Sequence, residues 1–419
     1  MGMTISIAEY LKSHTLIKGV DLFTQSEGGK RTQVDSINIE GQEITMYISE
    51  FWTSKQRQAS SIQEVSYRAC FKPQLPHFFI ELLTKKNDVV YDPFTGRGTT
   101  VLEAGLMGRT VISNDINPLS RVLTEPRFFV PDIAVLRNRL EDLFVRKSAK
   151  SDIDLSMFYH PETEAEIVSL RKYLKKRRDS GEEDALDKWI RMVATNRLTG
   201  HSKGFFSVYT LPPNQAVSQE SQIEINKKLK QEPEYRDTRK LILAKTKDLL
   251  RNLTQEQTKD LEYAGQRSTF LNCDARQTAE IESGSIHLTV TSPPFLDIVD
   301  YHKDNWLRCW FNSIDDEEVA RKITMARNIE TWCAVMLAVF KELFRITKDG
   351  GWIAFEVGEL KNGRLRLDEH VVPLGTQVGF QCKGVVINSQ QFTKTSNIWG
   401  IKNNSRGTNT NRIVLFCKD

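Results

Sequence analysis

A short segment with an acidic residue and two glycines most constrains how this chain can fold. The apolar run Val89–Tyr91 is followed by Asp92, and the next few residues include Gly96 and Gly98. A new apolar segment, Thr100–Leu106, begins directly after this turn. Glycine lets the backbone turn tightly and approach a ligand closely. The succession of strand, acidic residue, glycine turn and helix predicts the start of a βαβ unit in an α/β sheet.

A second acidic residue follows the next predicted strand. The apolar run Thr110–Ser113 ends at Asn114 and Asp115. An acidic residue at the end of the second strand of a βαβ unit is placed to hold ribose hydroxyls. Position 101 is Val, so the phosphate-binding pattern G-x-G-x-x-G is incomplete, and G-x-x-x-x-G-K-[ST] is absent. The segment therefore suits a nucleoside-like ligand better than a pyrophosphate.

A rigid turn with two prolines follows a third predicted strand, Ile286–Val290. Neither Pro293 nor Pro294 has a backbone N–H, and each fixes φ near −65°. The turn presents the Ser292 hydroxyl and the Pro293 carbonyl beside the ring of Phe295. Two hydrogen-bond acceptors next to an aromatic face suit a planar amine, which predicts methyl transfer to the exocyclic amine of a nucleobase. A lone S-P-P-F is common in loops, where it is usually only a turn.

Together, the segments D-P-F-T-G-R-G-T-T and T-S-P-P-F resemble the amino-methylating DNA methyltransferases, which use S-adenosyl-L-methionine. The S-P-P-F form is similar to the N4-cytosine branch, whereas the adenine-N6 branch more often carries D-P-P-Y or N-P-P-[FY]. The resemblance covers roughly residues 50–125 and 266–419. It implies an α/β fold with a Rossmann-like class I methyltransferase sheet, helices on both faces and a helix-rich insertion.

The resemblance also implies two sets of site residues. The catalytic set is Ser292, Pro293, Pro294 and Phe295. The cofactor-binding set is Phe71, Lys72, Asp92, Pro93, Phe94, Thr95, Gly96, Gly98, Thr99, Thr100, Asp115, Asn117 and Asp274. Residues Cys70–Pro76 are similar to the family's methionine-binding segment, and Asp274 stands where the family contacts the adenine. No metal site is expected.

Four parts of the chain are predicted. Residues 1–60 form an N-terminal segment with a helix near Ile7–Leu11 and strands within 37–51, and residues 61–125 form the cofactor-binding part. Residues 126–265 are a helical insertion, and residues 266–419 form the catalytic part. Within the insertion, helices are predicted from Pro161 onward and over Asp187–Thr195 and Thr238–Leu250. The order of cofactor segment, insertion and catalytic turn is similar to the alpha class of the family.

The insertion is the candidate target-recognition region. Its basic runs Arg171–Arg178 and Lys227–Lys230 could contact phosphates, and the loop Gly204–Gln215 could read base edges. Basic runs on helices are also commonly solvated faces, and each run alone fits that interpretation better. Because the net charge is only +4, binding to a polyanion would depend on local patches.

Composition is typical of a soluble globular protein rather than a disordered one, because 39% of the residues are hydrophobic and 27% are charged. No apolar run approaches the ~20 residues needed to span a bilayer, and no signal-peptide pattern is apparent. The six cysteines lack C-x-x-C spacing, so we expect a reduced, cytoplasmic location without membrane partners. No Pro-Cys pair supplies the thiolate that C5-cytosine methylation needs.

The sequence therefore predicts a site-specific DNA methyltransferase acting on cytosine N4, in a restriction-modification or related system. Its expected partners are double-stranded DNA and a cognate restriction endonuclease. Two alternatives stay open. One is an adenine-N6 or RNA base methyltransferase of the same fold, and the other is a binding module that has lost catalysis.

Overall fold

A mixed β-sheet forms the centre of the protein. The computed structural model describes residues 6–14, 31–52, 59–68, 70–211, 216–294, 301–323, 326, 328–360, 365–389 and 410–419. Within these residues nine strands form one sheet: β1 (Gln33–Ile39), β2 (Gln42–Ser49), β3 (Val89–Asp92), β4 (Thr110–Asn114), β5 (Thr269–Leu271), β6 (Ile286–Thr291), β7 (Thr347–Val357), β10 (Gln381–Ser389) and β11 (Thr410–Cys417). A separate two-stranded ribbon pairs β8 (Glu359–Leu360) with β9 (Leu365–Arg366).

The strand order in the main sheet is β1-β2-β10-β11-β7-β6-β3-β4-β5. Strands β5, β4, β3, β6 and β7 pair in parallel, whereas β11 is antiparallel to both of its neighbours. The predicted strands at the glycine turn, at Asp115 and at the proline turn are thus neighbours in one sheet. The predicted Rossmann-like α/β fold is confirmed.

Helices cover both faces of this sheet. The helices among the described residues are α1 (Ile7–Ser13), α2 (Gln74–Leu83), α3 (Thr99–Leu106), α4 (Pro118–Thr124), α5 (Ile133–Asp142), α6 (Pro161–Asp179), α7 (Ala185–Arg197), α8 (Gln219–Leu229), α9 (Thr238–Leu250), α10 (Gln255–Arg267), α11 (Tyr301–Asn312), α12 (Asp316–Lys322), α13 (Ile329–Ile346) and α14 (Leu367–Gln377). The helix predicted over 238–250 has those bounds, and the helix predicted over 187–195 extends over Ala185–Arg197.

Successive side chains along a strand point to opposite faces, and the two faces are buried in two separate cores. Val90 of β3 belongs to one core and Tyr91 to the other, and Ala354 and Phe355 of β7 divide in the same way. Helices α2, α3 and α5–α7 pack in the first core, and α13 and α14 pack in the second.

The insertion is packed onto the sheet rather than held apart from it. Trp189 and Ile242, on α7 and α9, share a buried core with Phe79 and Leu102, on α2 and α3. Helix α10 contacts α3 so closely that a Cβ on Gly105 would lie 3.2 Å from Leu261 Cδ2. The last helix of the predicted insertion therefore flanks the cofactor-binding part of the sheet.

The N-terminal strands also belong to the main sheet. β1 and β2 form a hairpin, and β2 pairs in parallel with β10 over Met46–Ser49. The division of the chain into four parts stays a prediction, but the sheet itself runs through the N-terminal, cofactor-binding and catalytic parts. None of the helices among the described residues has both the length and the apolar character needed to cross a bilayer.

Candidate functional site

The two predicted motifs meet at the carboxyl ends of neighbouring strands. Asp92 ends β3 and Thr291 ends β6, and these strands pair in parallel. The chain continues from β3 to β4 on one side and from β6 to β7 on the other, so the strand order reverses here. Such a switch point is where open α/β sheets bind ligands. A cleft opens at this position.

Most of the predicted site residues line this cleft. They are Phe71, Asp92, Pro93, Phe94, Thr95, Gly96, Thr99, Asp115, Asn117 and Asp274 from the cofactor-binding set, and Ser292, Pro293 and Pro294 from the catalytic set. Lys72, Gly98 and Thr100 are not among the lining residues. Phe295 lies outside the residues that the structure describes.

Gly98 and Thr100 do not line the cleft but fix the start of α3 next to it. Gly98 precedes α3 with φ +84°, and a Cβ there would lie 2.6 Å from Thr124 Cγ2. Both the backbone conformation and the close approach therefore require glycine. The Thr100 hydroxyl donates to the Val290 carbonyl at 3.0 Å, which joins the start of α3 to β6.

The Asp115 carboxylate is held by backbone groups. Its Oδ2 accepts from the Gly96 N–H at 2.8 Å, and its Oδ1 accepts from the Asn117 N–H at 2.9 Å. Within the described residues it forms no ion pair, and burial raises its pKa to about 6. A carboxylate with free lone pairs and no neutralising cation is suited to accept hydrogen bonds from ribose hydroxyls.

Asp92 joins the glycine loop to the proline turn. Its Oδ1 accepts from the Thr291 hydroxyl at 2.6 Å and from the Phe94 N–H at 3.1 Å. The side chain is only 2% exposed, and burial raises its pKa to about 7. Because its charge changes near neutral pH, this carboxylate would respond to a positively charged ligand in the cleft.

The Thr95 hydroxyl holds the loops after β3 and β4 together. It donates to the Asp92 carbonyl at 2.9 Å and accepts from the Ser113 hydroxyl and the Asn114 N–H, both at 3.1 Å. The end of β5 is fixed in a similar way, because the Cys273 N–H donates to Asn114 Oδ1 at 3.1 Å. The three strand ends on this side of the cleft therefore share one buried polar network.

Asp274 lies at the edge of the cleft in an ion pair with Arg276. The Arg276 Nε lies 2.9 and 3.0 Å from the two carboxylate oxygens, and these hydrogen bonds lower the pKa of Asp274. Both residues line the cleft. The predicted contact between Asp274 and an adenine stays a prediction, and Arg276 would share that environment.

Ser292 lies beside a buried acidic residue that the sequence analysis did not identify. Thr291 pairs with Phe355 of β7, which places Glu356 next to Ser292. Burial raises the pKa of Glu356, and hydrogen bonding with Ser292 and Asn411 opposes that rise. The Asn411 amide donates to Glu356 Oε1 at 2.8 Å. The sequence signal for this group is one acidic residue inside Trp352–Val357, the otherwise apolar second half of β7.

Trp332 on α13 fixes the other end of the turn. Its indole N–H donates to the Pro294 carbonyl at 3.0 Å, and the side chain is only 2% exposed. Trp332 also lines the cleft, together with Met336 and Val339 of the same helix. In the sequence it looks like an ordinary core residue of an amphipathic helix, so no local signal marks it.

The insertion touches the mouth of the cleft through α11. Arg68 lines the cleft and forms a 2.7 Å ion pair with Asp304. The Asp304 carbonyl accepts from the Ala216 N–H at 2.9 Å, just after the loop that was predicted to read bases. That loop, Gly204–Gln215, is described only through Leu211, and its exposed side chains include Tyr209 and Leu211, each 40% exposed.

The basic run of α6 is largely engaged inside the protein. Each of its three arginines has an acceptor elsewhere in the fold: Arg171 donates to the Trp310 carbonyl (2.8 Å), Arg177 to the Asp187 carboxylate (2.7 Å) and Arg178 to the Asn312 carbonyl (2.9 Å). Lys172 and Lys176 are the exposed lysines of the run that form no ion pair within the described part of the chain. In the second run Lys227 pairs with Glu224 at 2.8 Å, so the lysines left for the predicted phosphate contacts are Lys172, Lys176, Lys228 and Lys230.

The cleft fits a cationic nucleoside better than a phosphorylated one. Asp92 and Asp115 place two buried carboxyl groups at the loop where a pyrophosphate would otherwise lie, and both would repel it. The same groups suit ribose hydroxyls and the positive charges of S-adenosyl-L-methionine. No cluster of three metal-ligating side chains occurs among the described residues.

Comparison with known proteins agrees with this site. Residues 24–120 match the model of a DNA methylase family. The chain is 34% identical over 77 residues to the type II methyltransferase M.MjaII of Methanocaldococcus jannaschii, which covers 18% of this chain and 14% of that protein. It is 35% identical over 80 residues to the type II methyltransferase M.MvaI of Kocuria varians, which covers 18% of each. The chain thus spans less than a fifth of the length of these relatives.

Two of the solved structures that the chain matches are methyltransferases of low sequence identity. One is a SAM-dependent methyltransferase from Methanosarcina mazei, with 9% identity over 81% of this chain and 96% of that chain and a TM-score of 0.31. Another is geranyl diphosphate C-methyltransferase from Streptomyces coelicolor A3(2), with 8% identity over 82% and 78% and a TM-score of 0.32. At these TM-scores the likenesses carry no weight for function.

The matched segment confirms the predicted resemblance to the amino-methylating DNA methyltransferases. It does not distinguish the N4-cytosine branch from the adenine-N6 branch. S-adenosyl-L-methionine, the predicted cofactor, agrees with both the matched family and the residues of the cleft.

Proposed function

We propose that this protein is a site-specific DNA methyltransferase that transfers a methyl group from S-adenosyl-L-methionine to the N4 amine of cytosine. The observation that carries the proposal is that the proline turn and the two acidic strand ends line a single cleft. The hydrogen bond from Thr291 to Asp92 joins them directly. The DNA methylase match supports DNA as the substrate, and Ser292 in the S-P-P turn favours cytosine.

The glycine-loop side of the cleft would bind the cofactor. Asp115 accepts hydrogen bonds from the ribose, Asp92 favours the positive charge, and Phe71 and Phe94 supply apolar walls. When bound, the cofactor supplies a methyl group already activated by its sulfonium. The remaining task of the protein is therefore to align the amine with that group.

The turn would activate the amine by accepting hydrogen bonds from its two N–H groups. The lone pair of an exocyclic amine is delocalised into the ring, and hydrogen bonds accepted from both N–H groups localise it. Ser292 Oγ and the Pro293 carbonyl are the two acceptors. Directing the Ser292 hydroxyl at Glu356 leaves the oxygen lone pairs of Ser292 available to the substrate.

The Ser292–Glu356 pair also provides a route for the proton released by the reaction. After methyl transfer the nitrogen carries one proton too many. That proton passes to Ser292 Oγ while the Ser292 proton passes to the Glu356 carboxylate, so the hydroxyl is regenerated. Burial raises the pKa of Glu356, which makes it a better proton acceptor than an exposed carboxylate.

The substrate base has to leave the double helix to reach this cleft, because a stacked and paired amine is inaccessible. Phe295, at the end of the proline turn, is proposed to stack on the flipped base. Exposed Tyr209 and Leu211 and the lysines of α6 are proposed to contact the surrounding DNA. By analogy with the relatives named type II methyltransferases, a restriction endonuclease of the same specificity is the proposed partner.

Nucleoside analysis tests the proposal. Purified protein is incubated with double-stranded DNA of mixed sequence, or with RNA, and with methyl-labelled S-adenosyl-L-methionine, and the products are digested and separated by mass spectrometry. We expect labelled N4-methylcytosine from DNA alone. Labelled N6-methyladenine would overturn the base assignment, and label only in RNA would overturn the substrate. Cofactor binding without any labelled nucleoside would indicate a binding module.

A further inference from the structure

We infer that Thr291 is a positioning residue that couples the Asp92 carboxylate, on the cofactor side of the cleft, to the proline turn that holds Ser292. This inference rests on the proposed methyltransferase function. It concerns how two halves of one site act together, through a hydrogen bond between Thr291 of one motif and Asp92 of the other.

The geometry places Thr291 between the two halves. It is the last residue of β6, it is fully buried, and its side chain donates at 2.6 Å to an Asp92 carboxylate that is 2% exposed. Its backbone leads directly into Ser292. Asp92, which ends β3, is therefore connected to Ser292, which is proposed to accept the amine proton, by one short hydrogen bond to the preceding residue Thr291.

A second threonine in the same strand shows that the strand does not need a hydrogen bond from a threonine hydroxyl in order to form. Thr289 lies two residues earlier, on the same face of β6, and is also fully buried. Its hydroxyl has no hydrogen-bond partner among the described residues. The strand therefore tolerates a buried threonine methyl and hydroxyl without using the hydroxyl, whereas at Thr291 the hydroxyl holds a carboxylate.

The strength of this hydrogen bond depends on the charge of Asp92. A hydrogen bond to an ionised acceptor is roughly twice as strong as a neutral one. Burial raises the pKa of Asp92 to about 7, and the titratable groups that face it are Asp115, the Cys70 thiol and Tyr91. A cationic ligand favours the ionised form, so binding it would tighten the attachment of the Thr291 backbone and of Ser292.

Other contacts keep β6 in place when this hydrogen bond is removed. The Val290 carbonyl accepts from Thr100, and β6 stays paired with β7 through Thr291 and Phe355. Valine has nearly the shape of threonine and favours strands. Thr291→Val therefore removes the hydroxyl while leaving the packing intact, and Thr289→Val is its matched control.

The test compares Thr291→Val, Thr291→Ser and Thr289→Val with the unmodified protein. Calorimetry measures the affinity for S-adenosyl-L-methionine and for S-adenosyl-L-homocysteine, which lacks the sulfonium charge, between pH 6 and 9. Turnover is measured at saturating cofactor. We expect Thr291→Val to lower kcat about tenfold, the loss of one hydrogen bond to a charged group. We also expect the fall in S-adenosyl-L-methionine affinity on acidification to begin at a higher pH, because Asp92 loses a hydrogen bond that favours its ionised form. The affinity for S-adenosyl-L-homocysteine should change less.

Thr291→Ser, which restores the hydroxyl, and Thr289→Val should both behave like the unmodified protein. Equal behaviour of Thr291→Val and Thr289→Val in turnover and in pH profile would overturn the inference, as would a Thr291→Ser variant that is as impaired as the valine variant. If the unmodified protein methylates no nucleic acid, the proposed function fails, but the pH profiles still decide whether Thr291 acts on Asp92.

A double-mutant cycle guards against loss of folding in Thr291→Val. If the two residues act as one unit, Asp92→Asn and the Asp92→Asn, Thr291→Val double variant should have the same turnover. If the double variant instead loses turnover by the product of the two single losses, the two residues act independently and the coupling is wrong.

Discussion

The glycine loop after β3 and the proline turn after β6 are neighbouring strand ends that are built in opposite ways. The loop holds Asp115 with backbone groups of Gly96 and Asn117, all within 21 residues of one another in the chain. The turn is held by side chains from distant elements: Thr291 bonds to a residue 199 positions away and Pro294 to one 38 positions away. One half of the site is local, and the other is assembled by the fold.

This difference separates what each half controls. Backbone donors are present whatever the side chains are, so the loop depends mainly on its own carboxylate and should affect binding. The turn depends on side chains from β3, β7 and α13, so losing any of them should misalign the amine and affect turnover. The following predictions test that separation.

Removing the Ser292 hydroxyl should have the largest effect. Ser292→Ala is expected to lower kcat on the order of a hundredfold, because one transition-state hydrogen bond is lost. Cofactor affinity measured by calorimetry should stay unchanged, since the loop around Asp115 is untouched. Ser285→Ala, before the opposite end of β6, is the control and should leave both quantities unaltered. A matching loss of cofactor affinity in Ser292→Ala would contradict the separation.

The Asp115 carboxylate should control cofactor binding and have little effect on turnover. Asp115→Ala is expected to weaken S-adenosyl-L-methionine affinity by roughly 10- to 100-fold, as expected when hydrogen bonds to a charged group are lost. At saturating cofactor, kcat should recover most of its value. Asp88→Ala, before the amino end of β3, is the control. Unchanged affinity in a folded Asp115→Ala protein would remove the assignment of the ribose site.

The local half of the site was the half that could be predicted from sequence. Asp92, Gly96 and Asp115 stand in a continuous pattern of strand, turn and strand whose physical meaning depends on near neighbours. Ser292 and Pro293 were also found, because the two prolines fix the turn by themselves.

The assembled half could not be predicted because its signals are spread over the chain. Glu356 is one charged residue in the apolar second half of β7, Trp352–Val357, and only the register of β6 against β7 brings it to Ser292. Trp332 has the spacing of a core residue of α13. Thr291 and Thr289 look alike in the sequence, and only the position of Asp92 on the neighbouring strand distinguishes them.

Acid should weaken cofactor binding through the same loop. The pKa of Asp115 is raised from 3.8 to about 6, so the carboxylate that accepts ribose hydrogen bonds becomes protonated as the pH falls through 6. Affinity should then fall by up to about tenfold per pH unit, and Asp115→Asn should flatten this part of a calorimetric profile between pH 8 and 5.

The stability of the ligand-free protein should respond in the opposite direction. Because the folded-state pKa of Asp115 lies above its unfolded value of 3.8, its contribution to stability is fully present below pH 3.8 and is lost as the pH rises through about 6. Melting temperatures of Asp115→Asn and the unmodified protein should therefore diverge across this window. If the two melting temperatures change with pH in parallel, the group that titrates in this window is not Asp115.

The smallest expected effect concerns the indole that holds the far end of the turn. Trp332→Phe keeps an aromatic ring in the cleft but removes the N–H that donates to the Pro294 carbonyl at 3.0 Å. One neutral hydrogen bond contributes about 1 kcal/mol, so kcat should fall about fivefold. Trp306→Phe is the matched control, because its indole also donates to a carbonyl, that of Val217 at 3.2 Å, but does not line the cleft. If the two variants lose turnover equally, turnover is sensitive to loosening anywhere around α11 and α13, and the hydrogen bond to Pro294 has no special role. The other outcome is that only Trp332→Phe is slower and that its cofactor affinity is unchanged. The proline turn then depends on a hydrogen-bond donor from a distant element, unlike the glycine loop, which is held by its own backbone.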